Sequence, residues 1–153
     1  MKSTPNLKKE KKKQASKPVK VYLDANLFIY AYINTETIGE NAKIILEDVK
    51  KGKYKAYTAT LTIDEFLWKL QNELDKKLAI EASSIFFNLP NLILIPVDMG
   101  VITKAVEVYQ KEDLDPRDSI HIASMKTKGI KKIFSSDSDL DRIKEIKRID
   151  FTN

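Results

Sequence analysis

From Val19 onward the chain alternates between two hydrophobic rhythms. Short runs rich in β-branched and aromatic residues, VKVYL, YKAYTA, NLILIPV, KKIFSS and IKRIDF, read as strands. Between them apolar residues recur every three or four positions, as on one face of a helix. The spacing predicts a helix from the end of VKVYL to about Tyr32 and further helices over 37–50, 62–75, 76–88, 99–111 and 116–128, with a short one near 138–144. Strands alternating with helices imply a parallel sheet, because parallel neighbours need a crossover, and right-handed crossovers cover both faces of the sheet. The fold class is therefore α/β, with a central parallel sheet between two helical layers. No internal repeat or second domain interrupts the alternation.

Local signals refine several boundaries. Thr62 with Glu65 fits a capping box, and Ile63, Phe66, Leu67, Leu70 and Leu74 then form one apolar stripe that leaves Glu65 turned towards solvent. Asp115 followed by Pro116 reads as an N-cap and a proline at the first helical position, which puts Asp118 in the first turn. Trp68 lies off the stripe, and either a neighbouring helix or an oligomer interface would cover it.

At 153 residues and 42% apolar content, the chain is long enough to close one core without disulfides. It has no cysteine, which excludes thiolate zinc sites, iron–sulfur clusters and cysteine nucleophiles and is compatible with a reducing compartment. No apolar run approaches the roughly 20 residues of a membrane span, and the N-terminal lysines have no apolar segment behind them, so neither a membrane helix nor a secretory signal is expected, and a cytoplasmic location is. The net charge of +5 is unevenly placed: residues 1–18 carry seven lysines and one acid, and the rest of the chain sums to −1. The first 18 residues are expected to be a flexible lysine-rich tail, either incidental or a sequence-blind phosphate-binding arm, ahead of one domain over 19–153.

The candidate chemistry lies in acids placed singly at element starts: Asp24 after VKVYL, Glu65 in LTIDEFLW, Asp118 in DPRDSIHIA and Asp137 in KKIFSSDSDL. Each stands near a predicted helix N-terminus, where an acid complements the helix dipole, and in a parallel α/β sheet those termini collect at the carboxyl edge of the strands. Position alone thus suits capping as well as catalysis. Four carboxylates brought together would repel unless protonated or neutralised, and their hard oxygens suit Mg²⁺ or Mn²⁺. Other chemistries have less to stand on. The four glycines form neither a P-loop nor a dinucleotide fingerprint, and no serine sits in G-x-S-x-G. The single histidine, His121, reads as a packed, hydrogen-bonded side chain rather than a ligand or proton shuttle.

The order and context of these motifs, a strand leading into DANLFIY, a central TIDEFLW, a helix opening RDSIHIAS and a strand leading into SSDSDLDRI, resemble the PIN domain, most closely the VapC-type toxin ribonucleases of toxin–antitoxin pairs. The resemblance covers about residues 19–150. It implies a three-layer α/β/α sandwich in which Asp24, Glu65, Asp118 and Asp137 hold Mg²⁺ or Mn²⁺ and cleave single-stranded RNA, with Asp139 as a secondary acid at the rim. Asn26 and Ser135 match positions that such proteins use to orient the acids or water, and Arg117, beside Asp118, would meet substrate phosphate. A homodimer and an antitoxin partner are implied as well. Two alternatives stand beside this: a stand-alone or catalytically inactive PIN-type module that binds RNA or serves assembly, and an aspartate-nucleophile phosphohydrolase, whose D-x-D start this chain lacks because position 26 is Asn.

Overall fold

The computed structural model describes residues 16–153, so the lysine-rich tail predicted for 1–18 lies, through residue 15, outside the described residues. Five strands, β1 (Val19–Leu23), β2 (Tyr54–Ala59), β3 (Leu92–Ile95), β4 (Lys132–Phe134) and β5 (Lys147–Ile149), form one sheet in the order β3-β2-β1-β4-β5. Every neighbouring pair is parallel, with Val21 opposite Ala56 and Tyr22 opposite both Tyr57 and Ile133. The connections are α1 (Ala25–Ile33), α2 (Thr37–Lys50), α3 (Leu61–Glu73), α4 (Lys76–Ala82), α5 (Ile85–Asn88), α6 (Met99–Lys111), α7 (Pro116–Thr127) and a 3₁₀ turn over Ser138–Arg142.

Strand alternation divides the core. Val21 and Leu23 of β1, with Ala56 and Phe134, face a cluster that includes Leu27 and Phe28 of α1, Leu46 of α2, Phe66 and Leu70 of α3 and Phe86 of α5. Tyr22, Tyr57, Ile95 and Ile133 point to the opposite face, against Val108 of α6, Ile122 and Met125 of α7 and Leu140. Helices therefore cover both faces, in the three-layer arrangement expected from the sequence. Phe66, fully buried, meets Phe86 edge-on at 5.1 Å between ring centroids and Tyr32 at 6.1 Å. We predict that Phe66→Ala costs about 3–5 kcal/mol in a chemical denaturation series, since α3 would lose its anchor and leave a cavity.

Three boundary expectations are corrected. The helix predicted over 62–75 starts at Leu61, and the capping box does not form: the Thr62 hydroxyl is buried against Thr58 Oγ1 at 2.7 Å, and Thr60, at the N-cap, makes no side-chain cap bond. The stripe ends at Leu70, because Leu74 falls at the C-cap and is 46% exposed. The helix predicted over 76–88 is broken at Ser83–Ser84, where the Ser83 hydroxyl bonds the Ile80 carbonyl, competing locally with the helical ladder and leaving Phe86 turned inward and Phe87 outward. Among the described residues no helix is long and apolar enough to cross a membrane.

Candidate active site

The order of the sheet reverses at β1, whose neighbours β2 and β4 lie on opposite sides, and crevices of parallel sheets open at the carboxyl ends of the strands beside such a reversal. Asp24 directly follows β1, Asp137 stands three residues after β4, Glu65 lies in the second turn of α3 and Asp118 in the first turn of α7. All four line one cleft of about 450 Å³, together with Asn26, Tyr30, Trp68, Lys69, Glu73 and Arg117. A larger, apolar groove lies beyond Phe66, between α1, α2 and α5, and contains none of these acids.

Asp24 is the best supported of the four. It caps α1, its Oδ1 accepting the Ala25 N–H at 2.7 Å, and its Oδ2 accepts from Asn26 Nδ2 at 3.0 Å and Ser135 Oγ at 2.5 Å. Ser135 Oγ in turn accepts the Asp137 N–H at 3.0 Å and an Asn26 amide hydrogen at 3.2 Å, so one buried hydroxyl ties β1, α1 and the loop after β4 together. Arg148 of β5 holds the same loop by donating to the Ser135 carbonyl at 3.2 Å while pairing with Asp141 at 2.8 Å. Asp137 caps the 3₁₀ turn through the Asp139 N–H, 2.9 Å from its Oδ1. Asp139 itself is directed elsewhere: its carboxylate lies 3.1 Å from Arg142 and lines a neighbouring depression with Asp113 and Asp115, so it does not join the other acids in the cleft.

Glu65 does not face open solvent as the stripe suggested. Its carboxylate is only 17% exposed, because Oε2 meets His121 Nε2 at 2.8 Å. His121, 2% exposed, bonds Tyr22 Oη at 2.7 Å through Nδ1, and that phenol accepts the Ala59 N–H at 2.9 Å. The packed, hydrogen-bonded histidine expected from the sequence is thus present, but its partners were not foreseen. The available signal was spacing, since position 121 lies one turn beyond Asp118 and shares its helix face. Burial alone would favour neutral imidazole. The Tyr22 oxygen, the Glu65 hydrogen bond and the charge of Asp24 outweigh it and hold the His121 pKa well above the ordinary histidine value.

Asp118 accepts no side-chain hydrogen bond among the described residues. Burial, then the charges of Asp137 and Asp24, push its pKa up to about 6 from 3.8. The three carboxylates are thus close enough to feel one another. The four acids share a cleft without forming a preassembled group of three metal ligands among the described residues. Trp68 is 60% exposed at the cleft, so no neighbouring helix among the described residues covers it. Arg117 also reaches the cleft, with no ion pair among the described residues.

A PIN domain family model matches residues 21–146. Solved structures with the same fold include VapC20 of Mycobacterium tuberculosis, a sarcin–ricin-loop-cleaving toxin, at 17% identity and a TM-score of 0.67, covering 79% of this chain and 92% of that one. VapBC2 of Rickettsia felis, bound to a DNA fragment from its promoter, aligns at 14% identity and a TM-score of 0.67 over 86% of this chain and 98% of that one. FitAcB of Neisseria gonorrhoeae aligns at 13% and 0.64, over 86% and 97%. No curated protein matches the chain in sequence.

Proposed function

The chain belongs to the PIN domain family, and from that premise we propose that it is a divalent-metal-dependent endoribonuclease of the VapC type, cleaving phosphodiester bonds of single-stranded RNA through Asp24, Glu65, Asp118 and Asp137. The observation that carries this reading is the gathering of the four acids in one cleft, where Asp118 has no hydrogen-bond donor among the described residues and lies half-buried beside Asp137 and Asp24 with its pKa raised. An acid used only as a helix cap gains nothing from that repulsion, whereas a bound cation turns it into affinity.

The donors available fit a hard cation. Every candidate ligand is a carboxylate oxygen, there is no sulfur donor in the form of cysteine, and both nitrogens of the one histidine are engaged by Tyr22 and Glu65. Such a set suits Mg²⁺ or Mn²⁺ rather than zinc. A divalent ion bound there would stabilise negative charge developing on the phosphate and acidify an attacking water. The chain's own part is to hold four acids against their repulsion. Asn26 and Ser135 fix Asp24, the 3₁₀ turn fixes Asp137, and Arg117 supplies a cation to a phosphate entering the cleft. Asp139, paired with Arg142, stands outside this machinery.

An antitoxin partner belongs to the same proposal, supported by the likeness to VapBC structures, and so do a homodimer and action in the cytoplasm, which follow from the VapC-type reading alone. The test offers the protein labelled single-stranded RNA, the same sequence as DNA, and the RNA as a duplex, each with Mn²⁺ or Mg²⁺. Fragments from single-stranded RNA alone are expected. Binding of RNA without fragments under either ion would replace this reading with the inactive RNA-binding module.

A further inference from the structure

Beneath the cleft runs a continuous polar chain to which the proposed chemistry gives no role. It passes from the Ala59 N–H through Tyr22 Oη and His121 to Glu65, with links of 2.9, 2.7 and 2.8 Å. Its middle is embedded in apolar surroundings. Tyr22 is fully buried and packs with Ile122, Met125 and Ile133, and its ring meets the imidazole edge-on with centroids 5.7 Å apart. Phenylalanine and leucine at positions 22 and 121 would fill similar volume without the cost of desolvating a phenol and an imidazole. The polar chain therefore needs a reason beyond packing.

Its two ends supply one. The inner end is a backbone N–H of the last residue of β2, a rigid point of the sheet, left free to meet Tyr22 where the register between β1 and β2 ends at Tyr22–Tyr57. The outer end is a single carboxylate oxygen. Because an ionised carboxylate only accepts, Nε2 of His121 carries the hydrogen in the bond to Glu65 whatever the charge on the ring. No hydrogen bond engages Glu65 Oε1 among the described residues, and no buried side-chain polar atom there lacks a partner, so Oε1 is open to the cleft. One oxygen is held and the other presented.

We infer that Tyr22 and His121 are positioning residues that orient Glu65 for a divalent cation through the anchored chain Ala59–Tyr22–His121–Glu65. The inference rests on the metal reading of the cleft given above and assigns to it two residues that touch neither cation nor substrate. Partners of this kind typically contribute about 10- to 100-fold to metal affinity.

The test is Mn²⁺ binding to the full-length protein without RNA, by titration calorimetry and by electron paramagnetic resonance of the free ion, for wild type, His121→Leu, His121→Gln and Tyr22→Phe. His121→Leu is expected to weaken binding about 10- to 100-fold. His121→Gln, whose amide can donate from nearly the position of Nε2, should recover most of that loss, and Tyr22→Phe should fall between. A merely structural role would lower the melting temperature of His121→Leu and Tyr22→Phe and leave their Mn²⁺ affinity at the wild-type value, which would overturn the inference. If His121→Leu does not fold, Tyr22→Phe decides by the same criterion. Absence of Mn²⁺ binding by wild type would instead overturn the metal reading and the inference with it.

Discussion

Asp118→Asn is expected to abolish cleavage and, in the absence of metal at pH 7.5, to melt at a higher temperature than wild type. Both effects have one cause. In the folded protein the Asp118 carboxylate is held in a partly buried cleft beside Asp137 and Asp24, with a pKa of about 6 against 3.8 when free. A carboxyl group whose pKa is raised on folding destabilises the folded state above that pKa, and the penalty fades as pH falls through 6 towards 4, where the group is protonated in both states. Two units correspond to about 3 kcal/mol, and solvent screening at the open cleft reduces the usable part to about 1–2 kcal/mol. Wild-type stability without metal should therefore gain on this account between pH 7.5 and 5, and Asp118→Asn should lack that slope. Added Mn²⁺ should reverse the order at pH 7.5 by stabilising wild type and not the variant. Differential scanning calorimetry across that pH range, with and without the ion, checks each part. A variant less stable than wild type at pH 7.5 without metal would mean that Asp118 supports the fold rather than straining it.

Asp24→Asn should lose activity as completely and yet change stability in the opposite direction. Asp24 Oδ2 receives donors from both Asn26 and Ser135, and Oδ1 receives the Ala25 N–H. An asparagine offers one oxygen in place of two. Whichever way its amide turns, an NH₂ group faces at least one donor, and the loss costs about 1–2 kcal/mol. The spacing of the sequence treats Asp24 and Asp118 alike, as single acids at helix starts, whereas the structure separates an acid that is hydrogen-bonded into its frame from one that is not. Equal shifts in melting temperature for the two variants would contradict that distinction.

What could be read from the chain, and what could not, divides along the same physical line. The strands and most helix limits follow from periodicity, because burial on one face of a sheet or helix is a local, repeating demand. α2 and α6 begin and end at the predicted residues. The convergence of the four acids follows from topology, since helix starts gather at the carboxyl edge of a parallel sheet. The misreadings arise where a side chain takes a partner other than the one its spacing announces. Thr62 and Glu65 have the spacing of a capping box, but Thr62 finds Thr58 and Glu65 finds His121, 56 positions away. Asp139, which the resemblance implies as a secondary acid at the rim, pairs with Arg142 one turn on. Tyr22, a strand residue with an ordinary buried pattern, carries no mark in the sequence of the bond it makes to position 121.

Whether these acids form a metal-dependent ribonuclease site is decided by cleavage of one labelled single-stranded RNA by wild type and Asp118→Asn, each with Mn²⁺, with Mg²⁺ and with EDTA. Fragments are predicted from wild type with a divalent ion and from no other combination. Fragments from wild type in EDTA, or equal cleavage by Asp118→Asn in Mn²⁺, would contradict such a site.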